Sequence, residues 1–173
     1  MDKEKLFLYT VRDHGDRLYR ICCCHILDSE ERKDAYQETL VHIWKGLDGF
    51  REGAQASSWA YRIAVNTCLD HLRKSGRRLR ILGNRISAEE GDPLEALPAS
   101  PPPARDERAD RLYACIDRLP PVERTIISLY LEDLSGTEIA GVTGLSEGNV
   151  RVRVHRAKEL LRSMMNGAVN GHR

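Results

Sequence analysis

The residues best suited to chemistry in this chain are cations, and they come in two clusters. Arg73, Lys74, Arg77, Arg78 and Arg80 form one, and Arg151, Arg153, Arg156, Lys158 and Arg162 form the other. The chain as a whole is almost neutral, with 27 Lys and Arg against 26 Asp and Glu. Two basic patches on a neutral chain point to two separate contacts with a polyanion, with acidic surfaces around positions 28–38 and 89–107 left for other partners. The chemistry implied is binding. No glycine-rich phosphate loop, nucleophile elbow or zinc-ligand spacing occurs, so no catalysis, cofactor or metal is expected.

The five cysteines, Cys22, Cys23, Cys24, Cys68 and Cys115, are odd in number and do not form a secreted disulfide framework. Three consecutive helical residues fan across about 200° and cannot converge on one ion, so Cys22–Cys24 read as small core residues. No run of about 18 apolar residues occurs, and the N-terminus lacks a signal-peptide core. The expected place is the cytoplasm, without membrane insertion.

The elements that must position these residues are helical, because strand alternation is absent and the 3.6-residue period is strong. Tyr36, Leu40, Ile43, Trp44 and Leu47 mark one apolar stripe; Trp59, Ala60, Ile63, Ala64, Thr67, Cys68 and Leu72 mark a second. Ser57 or Ser58 is expected to cap the second helix and Gly76 to end it. Its polar side carries Arg62, Asn66, Asp70 and Arg73, a set able to meet base edges and phosphates, or simply water. Opposite the first stripe lie Asp34, Gln37 and Glu38 with Val41 and Lys45 nearby, a face either solvated or open to a basic helix.

Five prolines between positions 83 and 110 mark a segment that cannot bury a core. Helical signal returns with Leu112, Cys115, Ile116 and Leu119, and Pro121 suits the first turn of the next helix. The expected fold is therefore all-α: two small helical domains, 1–80 and 110–173, joined by a flexible linker over 81–109.

The second domain holds the sharpest local pattern. Ser135 and Glu138 form a capping box over a short helix. Gly144 suits a left-handed helix end. Ser146 caps a longer helix whose Val150, Val154, Ala157 and Leu161 make one packed stripe. Short helix, glycine turn and cationic helix match either an ordinary helical hairpin with a solvated basic face or a helix-turn-helix, whose second helix enters the major groove. Glu147, Asn149, Arg151 and Arg153 would then reach base edges, and Arg156 and Lys158 phosphates.

The runs Asp34–Trp44, Phe50, Ser58–Asn66 and Asp70–Arg73 resemble the second conserved region of extracytoplasmic-function (ECF) sigma factors. Leu119–Arg124 and the helix-turn-helix through Leu161 resemble their fourth. The resemblance covers nearly the whole chain. Val152 departs from it, standing where relatives often have serine. The resemblance implies a sigma factor that binds core RNA polymerase and directs promoter-specific initiation. It assigns Asp34, Gln37, Glu38 and Val41 to the beta-prime clamp helices, and the loop around Gly49 to Ser58 with the helix after it, which carries Arg62, to the minus-ten element, with Asn66, Asp70, Arg73 and Lys74 at matching positions. It assigns the recognition helix to the minus-thirty-five element and its domain to the beta flap, and it implies an anti-sigma factor. The alternative is a stand-alone helix-turn-helix regulator, which would need dimerisation and sensor elements that the sequence does not show.

Overall fold

The computed structural model describes residues 2–50, 56–74 and 106–169. Among them are seven α-helices, one 3-10 turn and no strand: α1 Lys3–His25, α2 Ser29–Gly46, α3 Ala56–Lys74, α4 Glu107–Asp117, α5 Pro121–Tyr130, α6 Gly136–Thr143 and α7 Glu147–Val169. The expected linker lies outside the described residues up to position 105. So does Gly76. The helix α3 already includes Ala56, so Ser57 and Ser58 sit inside its first turn instead of before it. At the other boundary, Asp106 accepts a hydrogen bond from the Arg108 N–H and starts α4 at Glu107, ahead of position 110.

The N-terminal lobe packs α1, α2 and α3 together. Tyr36, Leu40, Ile43 and Leu47 of the first stripe are buried, as are Ala60, Ala64, Thr67, Cys68 and Leu72 of the second. Trp44 meets Phe7 edge to face, with ring centroids 5.3 Å apart. Trp59 is half-buried against Phe50 and lies over Gly46, where an added Cβ would come within 2.7 Å of the indole. Glycine at position 46 is what lets α2 and α3 approach this closely.

The C-terminal lobe is built from α4 to α7. Pro121 occupies the first turn of α5. The Ser135–Glu138 capping box is present in both directions, and its hydrogen bonds hold the Glu138 carboxyl below the usual carboxylate range. Gly144 ends α6 at φ +74°, a conformation open to glycine and costly for a side chain. Ser146 Oγ accepts from the Asn149 N–H at 3.3 Å and caps α7. Val150, Ala157 and Leu161 are buried.

The two lobes pack against each other, a feature no sequence pattern announced. The helix α1 packs on α4 and α5, and α3 packs on α6. Residues 21–26 are all buried because α1 is covered on two sides there. Cys22 faces the N-terminal core, its Sγ 3.6 Å from that of Cys68. Cys24 faces the other way, into a cluster with Ile116, Leu119, Ile127, Ala157 and Leu161. Cys23 Sγ lies 3.6 Å from Arg32 Nη1, so each of the three adjacent cysteines meets a different neighbour. Burial pushes the Cys23 thiol up to about 11 and Cys24 higher still, which keeps both as inert thiols.

Polar contacts close the same seam. A turn after α5, with Asp133 at φ 60°, sets Glu132 against α1. Arg20 donates to both oxygens of this buried carboxylate, from Nε at 2.9 Å and Nη2 at 2.8 Å. Arg17 Nη1 reaches the Glu132 carbonyl at 3.4 Å. His25 Nε2 lies 3.5 Å from Ser128 Oγ.

Candidate nucleic-acid and polymerase-binding faces

The recognition helix owes its placement to a buried carboxylate. Glu123, in the first turn of α5, is 2% exposed, and its Oε1 accepts from Arg153 Nη1 at 2.9 Å. Arg156 Nε lies 3.9 Å from the same oxygen. Arg153 Nε donates in turn to Asn149 Oδ1 at 2.8 Å. A buried acid is stable only when paired, so this chain of contacts fixes α7 on α5 and orients the Asn149 amide. Arg153, expected among the base-contacting residues, is spent inside the lobe in this arrangement. Lys158 is engaged too: its Nζ donates to Tyr130 Oη at 2.6 Å and lies 4.0 Å over that ring.

The outward side of α7 exposes Glu147, Asn149, Arg151, Val152, His155 and Arg156. Val152 and His155 were not among the candidate residues. Both could have been found by helical period alone, since they lie opposite the stripe of Val150, Val154, Ala157 and Leu161. This is a cationic, convex helix presented by a capped turn, the shape and charge suited to a major groove.

On the N-terminal lobe, Asn66 is half-buried on α3 and Asp70 and Arg73 are exposed and paired with each other. Lys74 Nζ lies 3.4 Å from Glu38 Oε1, and His71 Nδ1 lies 3.9 Å from Glu38 Oε2. The expected polymerase face and the expected DNA face therefore meet at one edge. The Arg73–Asp70 and Lys74–Glu38 pairs both reach solvent and are worth about 0–1 kcal/mol each, so an external partner can replace them at little cost. Asp34 and Gln37 are exposed on α2, with Val41 half-buried beside them. Arg62 differs from the rest of its stripe. Its Nη2 donates to the Gly141 carbonyl of α6, and its Nε is buried without a hydrogen-bond partner. In this arrangement the C-terminal lobe covers one end of the α3 stripe. Arg77, Arg78 and Arg80 lie outside the described residues.

Among the described residues no group of three metal-ligating side chains comes together, and no helix is long and apolar enough to cross a membrane. The fold and its exposed cationic helix define an all-helical DNA-binding protein of the helix-turn-helix class.

Comparison with known proteins narrows the class. The family model described as Sigma-70 region 2 matches residues 10–78, and the one described as Sigma-70, region 4 matches residues 109–161. The chain is 33% identical to the ECF RNA polymerase sigma factor SigE of Mycolicibacterium smegmatis, over 90% of this chain and 60% of that one. It is 31% identical to SigM of Mycobacterium tuberculosis, over 89% of this chain and 74% of that one. In fold it is similar to the sigma factor RpoE of Bartonella quintana, solved in complex with the anti-sigma factor NepR: the TM-score is 0.70 at 21% identity, over 94% of this chain and 98% of that one. The chain belongs to the ECF RNA polymerase sigma factors, and it directs promoter-specific initiation of transcription.

Proposed function

We propose a division of this activity between the two lobes. The N-terminal lobe, 1–80, holds core polymerase through Asp34, Gln37, Glu38 and Val41 on the beta-prime clamp helices. Its α3 stripe of Arg62, Asn66, Asp70, Arg73 and Lys74 takes the minus-ten element as it melts. The C-terminal lobe, 110–173, docks on the beta flap and reads the minus-thirty-five element with Glu147, Asn149 and Arg151 of α7. Arg156 and Lys158 supply phosphate contacts, and Arg153 anchors the helix to Glu123. The protein acts in the cytoplasm by binding alone. An anti-sigma factor holds it in reserve, as the NepR complex of its structural relative suggests.

The observation that carries this reading is the exposed, cationic first half of α7, held outward by the buried Glu123. The same reading requires the lobes to part. Elements about 25 base pairs apart lie roughly 85 Å apart at about 3.4 Å per base pair. A compact chain of this length is only about 40 Å across. Arg62 cannot meet DNA while it holds the Gly141 carbonyl.

The test is a pull-down with core polymerase followed by run-off transcription. Asp34→Lys combined with Glu38→Lys and Gln37→Ala should abolish polymerase association with the circular dichroism spectrum intact. Undiminished association would refute the polymerase face. Specific duplex binding without core polymerase would favour a stand-alone regulator instead.

A further inference from the structure

Val152 is the most exposed large apolar residue among those described, at 67%. It lies nearly opposite the mean direction of Val150, Val154, Ala157 and Leu161, at the middle of the outward face of α7. Arg151 and His155 flank it, and both are exposed. One turn toward the N-terminus, in the direction a helical side chain leans, stands Gly148. A Cβ built at Gly148 would meet nothing within 4 Å. Packing within the lobe therefore gives no reason for a glycine there. The two residues together make an apolar knob with an open notch before it, on the side that faces outward.

We infer that Val152 reads the C5-methyl of one thymine in the minus-thirty-five duplex, with Gly148 leaving room for the base to approach. The inference rests on the DNA-reading role proposed for α7. Of the four bases, thymine alone presents an apolar group in the major groove. The other edges there are hydrogen-bond donors and acceptors, which a valine would desolvate without replacement. Arg151 and Asn149 on either flank can satisfy polar edges, so the apolar residue has a distinct partner to select. Scattered exposed apolar residues are ordinary on protein surfaces. This one is set apart by its place at the centre of the base-facing side and by the uncovered turn in front of it.

The test uses holoenzyme assembled from the full chain and core polymerase. Its upstream element is selected from random duplexes, and each selected thymine is then replaced by deoxyuridine, which lacks only the methyl. At one position the replacement should weaken wild-type binding about fourfold, the worth of one buried methyl-sized group. Val152→Ala should show no penalty there, and Val152→Thr, which keeps one γ-methyl, should restore it. A penalty that persists in Val152→Ala, or no thymine position with a penalty in the wild type, overturns the inference. Arg151→Ala separates the two levels. If it weakens the selected element while deoxyuridine has no effect, α7 reads DNA and Val152 does not. If the holoenzyme selects no upstream element, both readings fall.

Discussion

Replacing Arg20 by methionine should part the lobes. The substitution keeps an apolar stem but removes the charge that answers Glu132. That carboxylate is buried, and one guanidinium donates to both its oxygens, at 2.9 and 2.8 Å. Stripping the partner from a wholly buried pair costs about 3–5 kcal/mol. The Arg20 side chain is 44% exposed, so water already screens part of the interaction. A value of about 2 kcal/mol, within the range for a hydrogen bond to a charged group, is the appropriate scale. The cost falls on the closed arrangement alone, because Glu132 is hydrated once the lobes separate. At about 1.4 kcal/mol per factor of ten, the ratio of closed to parted molecules should drop roughly thirtyfold. Single-molecule energy transfer between dyes on α2 and α7, attached through non-thiol handles, counts the two populations directly. Arg12→Met is the control, since the Arg12–Asp13 pair lies at the surface within α1. Unchanged populations in Arg20→Met, or an equal shift in Arg12→Met, would refute a seam held by Arg20 and Glu132.

Two further perturbations test the packing. Burial, reinforced by the positive charge of Arg124, pushes the His25 imidazole down to about 3 from the ordinary 6.5. The protonated form is thus favoured in the unfolded chain, so stability is whole above pH 6.5 and erodes as pH falls toward 3, by at most about 1.4 kcal/mol per pH unit. Urea midpoints at about pH 7.5 and about pH 5.5 should differ in the wild type and differ less in His25→Gln; equal pH dependence in the two would count against a buried neutral imidazole. Gly46→Ala places a methyl 2.7 Å from Trp59 Cζ2. The displaced indole should cost about 1–3 kcal/mol and lower the melting temperature by roughly 2–12 °C, and an unchanged melting curve would refute the tight crossing of α2 and α3.

The sequence made the local structure legible wherever a residue acts on its own neighbours. The stripes of α2 and α3, the capping box at Ser135 and Glu138, the left-handed Gly144 and the cap at Ser146 each follow from chemistry within a few residues. The family was legible for the same reason, because its two regions are runs of such local signals. What could not be read depends on contacts distant in the chain. Glu123 and Glu132 look like surface acids in sequence. Each is buried only because a helix far along the chain brings an arginine to it: Arg153 of α7 in one case and Arg20 of α1 in the other. Arg153 and Arg62 look like free cations among others. Only the fold shows that one anchors the recognition helix and the other holds α6. The fully buried run of residues 21–26 carried a signal, five small or apolar positions interrupted only by His25. Helical period alone does not say which lobe covers its second side.

That run also gives the protein a built-in chemical reporter. Cys22 and Cys68 lie inside the N-terminal core, whereas Cys24 is covered by residues of α4, α5 and α7. While the lobes are closed, its thiol is shielded and its pKa is held far above the ordinary value. When they part, the same sulfur meets water and regains ordinary thiolate reactivity. The rate at which Cys24 takes up an alkylating reagent therefore measures how often the molecule opens, and mass spectrometry of the unmodified, unlabelled chain can follow it as polymerase or DNA is added.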